Sequence, residues 1–82
     1  MKLPRDLSGQ ALVVWLCDEG GYRKINQEGS HILIETSEPL HQRLSIPAHK
    51  SLRIGTLNSI LRAVSRHKGV SREIILQKFI RR

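Results

Sequence analysis

The sequence predicts an α+β domain: a three-stranded antiparallel sheet with helices on one face, in the order α-β-β-β-α, plus a short C-terminal helix. Two periodicities and the punctuation between them predict it. Leu12, Trp15 and Leu16 recur at helical spacing near the start, and Leu57, Ile60, Leu61 and Val64 do so again further on. Between them lies a strand-prone run, His31-Ile32-Leu33-Ile34-Glu35-Thr36, followed by a segment from Leu40 to Ile46 in which the pattern alternates. Gly20-Gly21, Gly29-Ser30 and Ser37-Glu38-Pro39 fall at the joints.

Each element has a local reason. Ser8 can cap a helix, and Leu7 before it is placed to staple onto Leu12. Ala11 stands third after Ser8, so a full capping box does not form. Ala11 and Val14 widen the apolar stripe. Gly20-Gly21 ends this helix by supplying a residue that tolerates positive φ. Tyr22 to Gln27 reads as a first strand with Tyr22 and Ile25 as its apolar members, and Gly29-Ser30 turns the chain. In the next strand, period two puts Ile32 and Ile34 on one face and His31, Leu33 and Glu35 on the other. In the third, Leu40, Leu44 and Ile46 share a face with Gln42, while His41, Arg43 and Ser45 take the opposite one. Burying the Ile32/Ile34 and Leu44/Ile46 faces under helices leaves His31 and Arg43 on an open face.

Pro47 to Gly55 reads as a basic loop. A helix then starts near Gly55-Thr56 and closes with Arg66, His67 and Lys68 ahead of Gly69, favourable for both dipole and C-cap. Val70-Ser71 repeats the staple and cap, with Glu73 in the first turn. The last helix runs through Ile74, Ile75, Leu76, Phe79 and Ile80 to Arg81-Arg82.

With 82 residues, 39% of them apolar, the chain makes one domain, 1–82, near the lower end of what sustains its own core. Cys17 is the only cysteine, so no intrachain disulfide is possible, and it reads as a small buried side chain of the first helix. Cys17 and four scattered histidines give no zinc signature, and no metal or cofactor is expected. No apolar run approaches the roughly 20 residues of a membrane span. The charged start, Met1-Lys2-Leu3-Pro4-Arg5-Asp6, is unlike a signal segment, so a cytoplasmic protein without membrane contact is expected. A net charge of +7 favours an anionic partner, nucleic acid being the commonest, although an acidic protein would use the same field.

His31 is the leading candidate for chemistry, because imidazole exchanges protons near neutrality. RNA cleavage through the 2′-hydroxyl needs a base for that oxygen, an acid for the leaving oxygen and cations around the phosphate. Arg43, with Lys24 or Arg23 on the first strand, can supply charge, and the Gly29-Ser30 turn can turn backbone N–H groups toward an anion. His49 and Lys50 in the basic loop are a candidate second proton carrier and a phosphate contact. Glu28 is near enough to accept from the imidazole, whereas Glu35 is two strand pairs away. Each has a plainer reading, as a surface histidine or a solvated charge. His41 reads as a turn residue, and His67 as a side chain satisfied at a helix C-terminus. Trp15 reads as core packing.

Taken in order, Leu3-Pro4, Leu7-Ser8-Gly9, Gly21-Tyr22, Gly29-Ser30-His31, Ile46-Pro47-Ala48-His49, Gly55-Thr56-Leu57-Asn58-Ser59-Ile60-Leu61-Arg62 and Gly69-Val70-Ser71-Arg72-Glu73 resemble the HicA family of small toxins, messenger-RNA interferases of prokaryotic toxin–antitoxin modules. The resemblance covers almost all of the chain and lies in the ordered set, not in any one piece. It implies a fold like that of double-stranded-RNA-binding domains and translation-blocking cleavage of mRNA. It also implies that His31 of the Gly-Ser-His motif is catalytic, and that a HicB-type antitoxin masks it. Gln10-Ala11 stands where family members often have Lys-Glu, and Asn26-Gln27-Glu28 where they often carry an Arg-Gln-like pair. The second departure weakens positive charge beside His31.

The expected function is therefore a metal-independent endoribonuclease toxin with His31 as general acid or base. Gly29 and Ser30 would position the phosphate, with Arg43, His49 and Lys50 in support. The alternatives are a non-catalytic RNA-binding module and a basic protein-interaction domain.

Overall fold

A computed structural model of the chain describes residues 7–80, the side chains of Phe79 and Ile80 excepted. The charged start, Leu3-Pro4 of the motif set and the Arg81-Arg82 tail lie outside the described residues. The order is α1 (Gly9–Glu19), β1 (Arg23–Glu28), β2 (His31–Thr36), β3 (Gln42–Pro47), α2 (Ile54–Lys68) and α3 (Arg72–Ile80). The strands form one antiparallel sheet in the order β1-β2-β3, so the expected α+β architecture is the observed one.

Helix α1 begins where the sequence places it. The Ser8 hydroxyl accepts from the Ala11 N–H at 3.0 Å, and Leu7 packs against the core. Its buried face is Gly9, Leu12, Val13, Trp15 and Leu16. Ala11 and Val14, expected to widen the stripe, are exposed instead. At 100° per residue Val13 completes the set with Gly9, Leu12 and Leu16 that faces the sheet, and Val14 turns away from it. Cys17 is half-buried, and burial pushes its thiol pKa up.

The β2 faces are as the alternation requires: Ile32 and Ile34 are buried, and His31 is exposed. β3 begins at Gln42, two residues later than expected, and Leu40 is 73% exposed in the preceding turn. Gln42 explains how its inward position tolerates a polar side chain. It accepts from the Tyr22 hydroxyl and donates to the Ala63 carbonyl at 3.2 Å, linking the sheet to α2. Tyr22 is buried, and burial pushes its pKa up to about 12. The Lys68 ammonium lies 4.9 Å from the Tyr22 ring centroid and donates to Thr36 Oγ1 at 3.0 Å.

β1 departs from simple alternation. Lys24 pairs with Ile34 and Asn26 with Leu33, so Ile25 has no partner and forms a one-residue bulge. Ile25, one of the two apolar members of this strand, is therefore 43% exposed.

Helix α2 buries Leu57, Ile60, Leu61 and Val64, the four residues its periodicity singles out. It starts at Ile54, slightly ahead of Gly55-Thr56, with Arg53 at the N-cap making no side-chain cap bond. Gly69 ends it at φ 67°, in the left-handed conformation. The Ser71 hydroxyl accepts from the Ile74 N–H at 3.3 Å at the start of α3, and Arg72 donates to Asn58 Oδ1, fastening α3 to α2. Ile75 and Leu76 join the core, as does Leu52 from the basic loop.

Candidate functional site

Glu28 and His31 are the last cross-strand pair of the β1–β2 hairpin, closed by the two-residue loop Gly29-Ser30. Gly29 has φ 58° and Ser30 has none of the positive φ values, which puts glycine at the first central position as a type II′ turn requires. On its other side His31 pairs with Pro47 at the end of β3. The pairing then extends beyond the strand, because the Ala48 N–H donates to the Ser30 carbonyl at 2.6 Å.

Helix α1 fastens this segment from behind. The Gly9 N–H donates to the His49 carbonyl at 2.9 Å, and the Leu52 N–H to the Leu7 carbonyl at 2.8 Å. A Cβ at position 9 would fall 1.8 Å from the Pro47 carbonyl oxygen, so glycine is what permits the approach. Gly29-Ser30-His31 and Pro47-Ala48-His49 therefore lie side by side. With His31 and Pro47 paired, chain geometry keeps the His31 and His49 Cα atoms within roughly 13 Å. Gly29, Ser30, His31, His49 and Lys50 are all exposed.

The remaining cations do not join this cluster. Arg43 shares the open face with His31, as parity requires, but it pairs with Glu35, two alternate positions along. That separation is about 13 Å. Arg43 Nη2 lies 3.5 Å from Glu35 Oε1, and Arg23 Nη2 lies 2.8 Å from Glu35 Oε2. Lys24 is on the opposite face. It pairs with Ile34 and its Nζ donates to Gln27 Oε1 at 3.4 Å, beside the outer side of α1. Lys24 is thus no partner of His31 on the open face. Glu28, by contrast, is directly across from His31.

Glu35 is the most perturbed group on the sheet. Hydrogen bonds from Arg23 above all, then from His41 and Arg43, lower its pKa from 4.5 to about 2. This cluster was not legible as a unit, because it depends on the bulge. A signal did exist. Tyr22 must be inside and Glu28, opposite His31, outside, yet both numbers are even. A regular strand cannot satisfy both, and one extra residue resolves the conflict.

Among the described residues, no group of three or more His, Cys, Asp or Glu side chains is placed to hold a metal ion. No helix among them is long and apolar enough to cross a membrane. No family model, curated protein or solved structure matches the chain. Chemically, the site combines exposed imidazoles on two adjoining segments, a glycine turn and a basic loop, the group types that exchange protons and attract phosphate.

Proposed function

We propose that this chain is a cytoplasmic endoribonuclease toxin of the HicA type, which cleaves mRNA with its own side chains and is neutralised by a HicB-type antitoxin covering the His31 end. The observation that carries the reading is the junction of His31 with Pro47 and of Ser30 with Ala48. It sets the segment that carries His31 beside the segment that carries His49. Cleavage through the 2′-hydroxyl requires one group to take a proton from the attacking oxygen and another to give one to the leaving oxygen. His31 and His49 fill these two roles. The Gly29-Ser30 turn and Lys50 face the phosphate between them, where preorganised donors stabilise developing charge. Arg43 lies outside this cluster and acts, if on RNA, at a distance from the scissile bond. The resemblance of the ordered motif set to HicA toxins supports the same assignment.

Cleavage of a labelled single-stranded RNA in the presence of EDTA tests this, using wild type, His31→Ala and His49→Ala of verified fold. Wild-type activity is expected, with a loss of 100-fold or more in His31→Ala, in line with the ordinary contribution of a general acid or base. Equal activity of His31→Ala and wild type would remove His31 from the mechanism. RNA binding without cleavage by any of the three would make the chain a non-catalytic RNA-binding module.

A further inference from the structure

At the end of the open face away from His31, the side chains of Glu35, Arg23, Arg43 and His41 form one unit. Glu35 is flanked by Arg23 on β1 and by Arg43 on β3. Its carboxylate accepts from Arg23 Nη2 at 2.8 Å and Arg23 Nε at 3.3 Å, and lies 3.1 Å from His41 Nε2 and 3.5 Å from Arg43 Nη2. The order of exposure decides what this unit presents. The Glu35 side chain is 13% exposed, against 79% for Arg23, 60% for His41 and 58% for Arg43. The carboxylate lies underneath, and the two guanidiniums and the imidazole lie outermost. Two arginines against one carboxylate leave a net positive charge, and both guanidiniums are tethered from below.

The sheet reaches this arrangement only through its bulge. Arg23 and Glu28 have opposite parity, so a regular β1 would send them to opposite faces. The extra residue Ile25 resets the alternation, which returns Arg23 to the face that also carries Glu28 and His31.

We propose that Arg23 and Arg43, held by Glu35 and flanked by His41, form a second phosphate-binding site, which grips the backbone of a single-stranded RNA a few nucleotides from the His31 end. The proposal rests on reading the chain as a protein that acts on RNA. Guanidiniums match phosphate oxygens in planar, two-pronged fashion, and tethering by an underlying carboxylate reduces the freedom lost on binding. Between the two ends the open face carries Asn26, Leu33 and Ser45. That row offers no aromatic surface for base stacking, so contact is made to the backbone. A docked protein would need a buried apolar or aromatic anchor at its centre, and the half-buried Leu33 is the only apolar side chain of the row.

The test is RNA affinity as a function of salt, measured with His31→Ala protein so that the probe stays intact. The probe is a labelled single-stranded oligonucleotide. Adding Arg23→Gln and Arg43→Gln together is expected to make the slope of log K against log salt shallower by about 0.7 to 1.4, the loss of one or two phosphate contacts. Arg62→Gln with Arg66→Gln on exposed positions of α2 removes the same charge and is expected to leave the slope nearly unchanged. Either single substitution at Arg23 or Arg43 serves if the pair fails to fold. Equal slopes for the two double variants would overturn the proposal. So would an unchanged RNA slope accompanied by lost binding to polyglutamate, which would make this face a dock for acidic protein. Absence of RNA affinity at low salt in the parent would overturn this site and the nuclease reading together. A shallower slope in the double variant, with wild type itself failing to cleave RNA, would overturn the nuclease reading alone.

Discussion

A methyl group added at Gly9 would lie 1.8 Å from the Pro47 carbonyl oxygen, and that oxygen belongs to backbone, which cannot swing aside. Glycine-to-alanine exchange inside a helix ordinarily stabilises by up to about 1 kcal/mol. Here the sign should reverse. Gly9→Ala is expected to cost about 1–3 kcal/mol, as overpacking does, and to lower RNA cleavage by pushing Pro47-Ala48-His49 away from Ser30. Urea denaturation reads the first effect; a stabilised variant would mean that α1 does not seat on β3 as described. Glu35 gives a second expectation at this scale. Its pKa is about 2 in the folded protein against an ordinary 4.5, so the unfolded chain takes up the proton first as pH falls. The stabilisation is complete above the ordinary value and is lost as pH drops from about 4.5 towards 2. The urea midpoint of wild type should therefore fall more steeply than that of Glu35→Gln across that interval. Parallel profiles would show that Arg23, His41 and Arg43 do not hold the carboxylate in solution.

Among elements, those with a single strong period were legible and those with two competing demands were not. The α2 stripe and the faces of β2 follow directly from spacing, because one buried face fixes the register of every other side chain. The chain from Tyr22 through β1 must keep Tyr22 in the core and Glu28 opposite His31, and the bulge leaves Ile25 in solvent. Leu40 looks like the first inward residue of β3, but the turn before Gln42 holds it outside. These differences separate isoleucines that sequence alone treats alike. Ile34→Ala, at a fully buried position, is expected to cost about 2–5 kcal/mol. Ile25→Thr, at the exposed bulge, should stay within about 0.5 kcal/mol of wild type. Comparable losses at both positions in chemical denaturation would place Ile25 in the core and remove the bulge.

At the level of the whole molecule, the net charge of +7 names a class of partner, while the fold decides where the charge is spent. Gly29-Ser30-His31 was legible as a motif. Its junction with His49 was not, since it is made by backbone bonds from Ala48 to Ser30 and from Gly9 to His49 that leave no side-chain signature. The same topology puts the Arg23–Glu35–Arg43 unit at the other end of the open face, about 13 Å from His31. An RNA long enough to touch both ends gains its second contact intramolecularly, without a second cost of association. A charge-assisted contact contributes about 1.5–3 kcal/mol, which corresponds to roughly tenfold to a hundredfold in affinity. Binding of single-stranded oligonucleotides to His31→Ala protein should then rise with length in a step, not smoothly, and level off once the strand spans the face. In protein that also carries Arg23→Gln and Arg43→Gln the step should vanish while the affinity of the shortest oligonucleotides stays put. A step of equal height in both proteins would mean that the strand leaves His31 by another route, across the basic loop and the start of α2.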